Sequence, residues 1–241
     1  MRSTLAKIGF DKMRQWLPLA TLVILVCIVG VMQPVFLQPS TLLQLASDTA
    51  VLFILATGVT FVIMLGGIDL SIQSMASFAS VIVALTVSRL GYGAFVLAVA
   101  IGAIVGLLSG LAHVKLKVPS FIATLATGGV LFSAALVTSK ERSITLGDVD
   151  RSYQTWITGQ VLGVPNVIWV GLVVLSIAHI LQAHTRFGRY SAAIGAGEPA
   201  AYASGVKVDR QKVFAYVLSA GFAALAGVIL SGRLEIGRAH V

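Results

Sequence analysis

The stretch Arg186–Lys212, RFGRYSAAIGAGEPAAYASGVKVDRQK, decides how the chain must be read. Strongly apolar segments lie on both sides of it, yet it carries Arg186, Arg189, Glu198, Lys207, Asp209, Arg210 and Lys212. A connector between two membrane helices needs only a few residues. A long, basic interruption with internal structure reads instead as a docking surface for something in the cytosol.

The flanks set the solvent. The chain is 57% apolar and 11% charged, with a mean hydropathy of +0.96. A soluble domain is about a quarter charged. This much apolar surface cannot be hidden in one core, so the surrounding medium is a lipid bilayer. A helix of ~20 apolar residues spans a bilayer because it satisfies its own backbone hydrogen bonds. Long apolar runs, rather than alternating segments, argue against a β-barrel. The expected fold is all-α, a polytopic helical bundle. Seven spans are expected, at about 17–33, 42–64, 72–88, 93–112, 120–138, 166–182 and 213–232. The N-terminal apolar run is followed by Gln33-Pro34 and not by a small-residue cleavage site, so it reads as an uncleaved first span.

Charge orients the bundle. With the N-terminus inside, the inner loops hold Arg2, Lys7, Lys12, Arg14, Lys115, Lys117, Arg186, Arg189, Lys207, Arg210 and Lys212, eleven cations, against four outside, Arg89, Lys140, Arg142 and Arg151. That bias follows the positive-inside rule and puts 186–212 in the cytosol. It also accounts for the net charge of +8 without nucleic acid, since the cations are dispersed over several loops. Cys27 is the single cysteine, which excludes a disulfide framework and a cysteine metal site. His113, His179 and His184 lack metal-ligand spacing, and no phosphate-binding G-x-x-x-x-G-K-[ST] run is present. The outer loop 139–165 holds Asp148, Asp150, Tyr153 and Trp156, which suit either a partner or an interfacial anchor.

Three sets of residues stand out within the spans. Gly66-Gly67-Ile68-Asp69-Leu70-Ser71 interrupts two apolar runs. Asp69 or Ser71 can accept hydrogen bonds from the free N–H groups of the next helix. Interrupted helices often frame a transport pathway or gate, so Gly66, Gly67, Asp69 and Ser71 are pathway candidates beside a plain capping role. Asp48, early in the second span, is either a proton or solute site or a partly hydrated interfacial acid. Gly102, Gly106 and Gly110 form overlapping G-x-x-x-G steps, a flat stripe that lets another helix approach closely.

The cytosolic stretch resolves further. Gly195-Ala196-Gly197 reads as flexible. Glu198 and Pro199 start a short helix, Glu198 at its positive end and Pro199 where a missing N–H costs nothing. Ala200 to Ser204 continue it, and Gly205 supplies a left-handed stop. Asp209 is expected to cap the following span. So short a helix is not stable alone and must be seated on something.

At these residues the chain resembles the ribose-type permeases of bacterial ATP-binding-cassette importers. The motifs are GGIDLS at Gly66–Ser71, the run Gly188–Leu234, GLLSGLAHVKLKVPSFIATLAT at Gly106–Thr127, and TRFGRY at Thr185–Tyr190. Glu198, Ala200, Ala201 and Gly205 are similar to the family's EAA signature, with Pro199 in place of its first alanine. Gln73 stands where the family usually has glycine. The resemblance implies that Glu198–Gly205 is a coupling helix for a separate ATPase that binds ATP and Mg. It also implies a second permease subunit, identical or different, a periplasmic sugar-binding protein, location in the bacterial inner membrane, and no catalytic residue, metal or cofactor in this chain. Such a permease continues past Leu234, whereas EIGRAHV at Glu235–Val241 reads as a translated sequencing adapter. Residues 1–234 are thus expected to be an incomplete permease domain and 235–241 a non-native tail. A proton- or sodium-coupled transporter using Asp48 and Asp69 is the alternative from another class. A branched-chain amino acid permease is the alternative within this one, where GGIDLS favours sugar.

Overall fold

The computed structural model describes the backbone of residues 2–141 and 152–233, and the side chains of 16–141, 152, 153 and 155–233. Among these the structure is almost wholly helical. The helices are α1 (Arg2–Met32), α2 (Pro39–Met64), α3 (Ile72–Leu90), α4 (Gly93–Lys115), α5 (Ser120–Ser139), a single turn α6 (Thr155–Thr158), α7 (Asn166–His184), α8 (Arg186–Ala196), α9 (Glu198–Ala203) and α10 (Val208–Arg233). The only sheet among the described residues is a two-residue hairpin, Gln160–Val161 against Val164–Pro165. The expectations for Asp148, Asp150 and Glu235–Val241 fall outside the described residues.

Six of these helices, α2, α3, α4, α5, α7 and α10, are long and apolar enough to cross a membrane. The shorter apolar helix Trp16–Met32, inside α1, is the seventh expected segment. The bundle leaves large apolar side chains on its outside: Val137 is 76% exposed, Val96 71% and Val130 70%. In water that pattern would be an aggregation surface; in lipid it costs nothing.

The chain falls into two compact units, Met1–Ala46 and Ser47–Val241. In the first, α1 is followed by a 3-10 turn at Pro34–Leu37, whose Leu37 packs on Gly30. The second is organised around α10. More than half of its apolar stretch is buried (56%), against 22–39% for the other five helices. Small residues allow this. A side chain on Gly102 would stand 2.6 Å from Ala224 Cβ, one on Gly110 2.9 Å from Val213 Cα, and one on Gly106 would strike the Tyr216 carbonyl. The α4 stripe therefore lies directly on the α10 backbone. On the other face, Gly227 lies against Ala76 and Ala79 of α3. The core follows the same line, with Ala220, Ala223, Ala224 and Val228 of α10 among Met75, Ala79 and Val83 of α3 and Ala94 and Ala98 of α4.

The 186–212 stretch departs from expectation in its helix content and in its caps. Most of it is helix, not loop. Thr185 caps α8 by accepting a hydrogen bond from Phe187 N–H at 3.1 Å, and Phe187, Ser191 and Ile194 form its buried face. Gly195 and Ala196 are thus the end of a helix rather than a flexible entry, and Gly197 alone separates it from α9. Asp209 does not cap α10. The helix begins one residue earlier, which puts Asp209 in its first turn, where negative charge is favoured.

Candidate functional site: a helix break beside a short helix

The two glycines after α2 have separate tasks. Gly66, with φ +76°, is the left-handed residue of a Schellman stop: Gly66 N–H donates to Ile63 O at 2.9 Å and Gly67 N–H to Val62 O at 3.0 Å. Gly67 is small for a different reason. A side chain there would stand 2.8 Å from the Tyr216 hydroxyl of α10.

Beyond the stop, residues 67–71 belong to no helix or strand, and Ile68 and Leu70 N–H have no helical partners. Side chains from the start of α5 supply them: Ile68 N–H donates to Ser120 Oγ and Leu70 N–H to Thr124 Oγ1, both at 3.1 Å. Asp69 then turns the chain into α3. Its Oδ1 accepts from Ser71 N–H at 3.0 Å and from the Ser71 hydroxyl at 2.6 Å. Its Oδ2 accepts from the hydroxyl of Ser219, on α10, at 2.7 Å. Asp69, Ser71 and Ser219 are all buried. Asp69 is the acceptor at the start of α3, while Ser71 donates. The carboxylate is thus one junction for the break, α3 and α10.

The second candidate set lies next to the first. A cavity of about 320 Å³ is lined by Met64 at the end of α2, Gly66 and Gly67 from the break, His113 from α4, Gly195 from α8, Glu198 from α9, and Lys212 and Tyr216 from α10. Gly195 closes on α2, where an added side chain would stand 2.5 Å from Met64 O. Residues separated by more than a hundred positions in sequence therefore share one wall.

Short helix α9 starts after Gly197, with no side chain capping it, and is closed by a glycine stop at its far end. Glu198 lies in its first turn and Pro199 beside it. Its far end is a second Schellman stop, with Gly205 at φ +81°, Gly205 N–H donating to Tyr202 O at 2.9 Å and Val206 N–H to Ala201 O at 3.1 Å. Ala201 is buried with Phe187, Ile194, Val208 and Tyr216. Ala200 and Gly205 are exposed, and Tyr202 is 74% exposed. Lys212 Nζ reaches back to Glu198, at 2.8 Å from Oε1 and 2.7 Å from Oε2. The sequence reads Glu198 as a helix-start charge and as part of the EAA-like coupling signature, and does not reveal this partner. The signal was weak, because a fourteen-residue separation across a glycine stop matches no helical spacing.

Asp48 is not brought to this site. It is ion-paired to Arg233, which also donates to Ser47 O at 2.7 Å, so this acid ties α2 to the far end of α10. With 16 residues of α2 between Asp48 and Met64, the two ends are roughly 24 Å apart at 1.5 Å per residue. One ion site built from Asp48 and Asp69 together is not formed. Near the start of α6, Tyr153 stacks edge-on to Tyr92 at 5.3 Å and Trp156 to Phe95 at 5.9 Å, so both aromatics pack on their own protein. Among the described residues no group of three or more His, Cys, Asp or Glu is placed to hold a metal ion.

Helices of membrane-spanning length, one of them interrupted at Gly66–Ser71 beside a short seated helix, form a frame that membrane transport proteins use. Residues 41–240 match the family described as branched-chain amino acid transport system / permease component, and the chain belongs to that family. It is 40% identical over 235 residues to the ribose import permease of Bacillus subtilis, covering 95% of this chain and 72% of that protein. It is 38% identical over 218 residues to the ribose import permease of Haemophilus influenzae, covering 89% and 68%. It is 30% identical over 209 residues to the L-arabinose ABC transporter permease of Azospirillum brasilense, covering 85% and 60%. No solved structure gives a significant match. The chain is a membrane transport subunit and not an enzyme; in this family ATP is hydrolysed by a partner ATPase.

Proposed function

We propose that this chain is a permease subunit of a bacterial inner-membrane importer for monosaccharides of the ribose, xylose or galactose kind. In this reading it lies with its N-terminus in the cytoplasm. It pairs with a second permease subunit, receives sugar from a periplasmic binding protein, and seats α9 in a cleft of the ATPase. Gly66, Gly67, Asp69 and Ser71 form the gate region, and Gly195, Glu198, Ala200, Ala201 and Gly205 the coupling element. The observation that carries this reading is α9 itself. A six-residue helix closed by the Gly205 stop, seated by buried Ala201 and held by Lys212, leaves a large aromatic, Tyr202, outside. An exposed tyrosine on a rigid short helix fits a partner's groove far better than it fits water. The sugar class rests on the relatives, which are named for ribose and L-arabinose. The family description favours branched-chain amino acids as the second reading, and competition of uptake by ribose against leucine separates the two.

The docking role is tested by co-purification of the ATPase with Gly205→Arg. At φ +81° an arginine strains the stop that orients α9. Retention of the ATPase should fall at least about tenfold, while the chain still inserts in the membrane, as losing an interface anchor does. Full retention with an inserted chain contradicts the docking role.

A further inference from the structure

The cytosolic helix and the helix break are joined by one face of α10. Lys212, Tyr216 and Ser219 are spaced i, i+4 and i+7, so they project from the same side of the helix. Each meets a different part of the site. Lys212 holds Glu198 of α9 through both carboxylate oxygens, at 2.8 and 2.7 Å. Tyr216 stands over Gly67, which has no side chain to obstruct it. Ser219 donates to Asp69, whose other oxygen holds the first turn of α3.

The Lys212 side chain is only 17% exposed, which is unusual for a lysine. Its partner Glu198 is half exposed, so solvent screens the pair and it adds little to folding stability. What two short bonds to one carboxylate do supply is orientation. Ala201 seats α9 by apolar contact, which does not define how the helix is turned; the ion pair does. Beyond it, α10 is packed backbone-to-backbone on α4 through Gly102, Gly106 and Gly110.

We propose that Lys212 is a positioning residue. It ties α9 to α10, so that a displacement of α9 is carried along α10 and delivered through Ser219 to Asp69 and the break before α3. This rests on the permease reading above and deepens it. Glu198 is engaged within its own chain, and its role is to hold the short helix to α10 rather than to contact the ATPase.

The test uses the full permease with its ATPase and binding protein in proteoliposomes, with sugar uptake and ATP hydrolysis measured in the same samples. Lys212→Met and Glu198→Gln should each lower sugar moved per ATP at least about fivefold, the lower end of what coupling between two sites is worth. The ATPase should still co-purify, and the KM for loaded binding protein should not change. Exchanging the pair, Glu198→Lys with Lys212→Glu, should restore part of the ratio. Ser219→Ala should lower it without touching either partner of the ion pair. If Lys212→Met fails to accumulate, Glu198→Gln decides the matter. A coupled wild type whose Lys212→Met or Glu198→Gln keeps the full ratio overturns the tether alone. A wild type that moves no sugar with ATP overturns the permease reading beneath it as well.

Discussion

Asp69 shows how one residue in a membrane helix break can be both structural and mechanically placed. It accepts three hydrogen bonds from two elements, and all its partners are buried. Asp69→Ala leaves Ser71 N–H and two hydroxyls without their acceptor, which should destabilise the chain by about 3 kcal/mol. Asp69→Asn keeps one oxygen and should cost about 1 kcal/mol, because the Ser219 hydroxyl can turn to accept from the amide. Thermal unfolding of the purified chain in detergent orders the three proteins; equal melting of Asp69→Ala and wild type would show that the junction does not form. The acceptor role at the start of α3 was legible in the sequence, since an acid two residues before an apolar run commonly serves there. Its bond to Ser219 was not, because a serine inside an apolar run carries no mark of what it faces.

At the scale of the element, α10 is defined by its neighbours' lack of side chains. Gly106→Ala would put a methyl group into the Tyr216 carbonyl and should destabilise the bundle by about 1–3 kcal/mol through overpacking. Gly221→Ala lies on α10 itself, where an added methyl meets nothing within 4 Å, and should be neutral or slightly stabilising. Equal effects in an unfolding titration would refute the close packing of α4 on α10. The G-x-x-x-G spacing announced a close approach, and hydropathy announced six of the membrane-length helices within a few residues of their ends. Helix α8 was harder. Its buried face is only Phe187, Ser191 and Ile194, with Gly188 and Gly195 inside it, so glycine content pointed to a loop while the Thr185 cap went unread. The stop at Gly205 was readable because a left-handed glycine leaves a strong local trace. The Lys212–Glu198 pair depends on how α9 folds back, which is a tertiary fact.

Across the unit Ser47–Val241, polar ties on α10 fall at three levels: Lys212 to α9, Ser219 to the break, Arg233 to Asp48 and the Ser47 carbonyl of α2. Between the second and third ties, the residues of α10 packed on α3 and α4 include Ala220, Ala223, Ala224 and Gly227. In the proposed mechanism a helix held this way carries a displacement of α9 to the break. The two acids considered for an ion-coupled carrier are not brought together: Asp48 pairs with Arg233, and Asp69 binds Ser71 and Ser219. The most direct measurement is uptake of radiolabelled ribose by proteoliposomes holding the permease, its ATPase and its binding protein, with an uncoupler in one arm and non-hydrolysable ATP in the other. Uptake should survive the uncoupler and stop with the ATP analogue. Uptake that collapses with the ion gradient and proceeds without ATP hydrolysis would contradict the assignment.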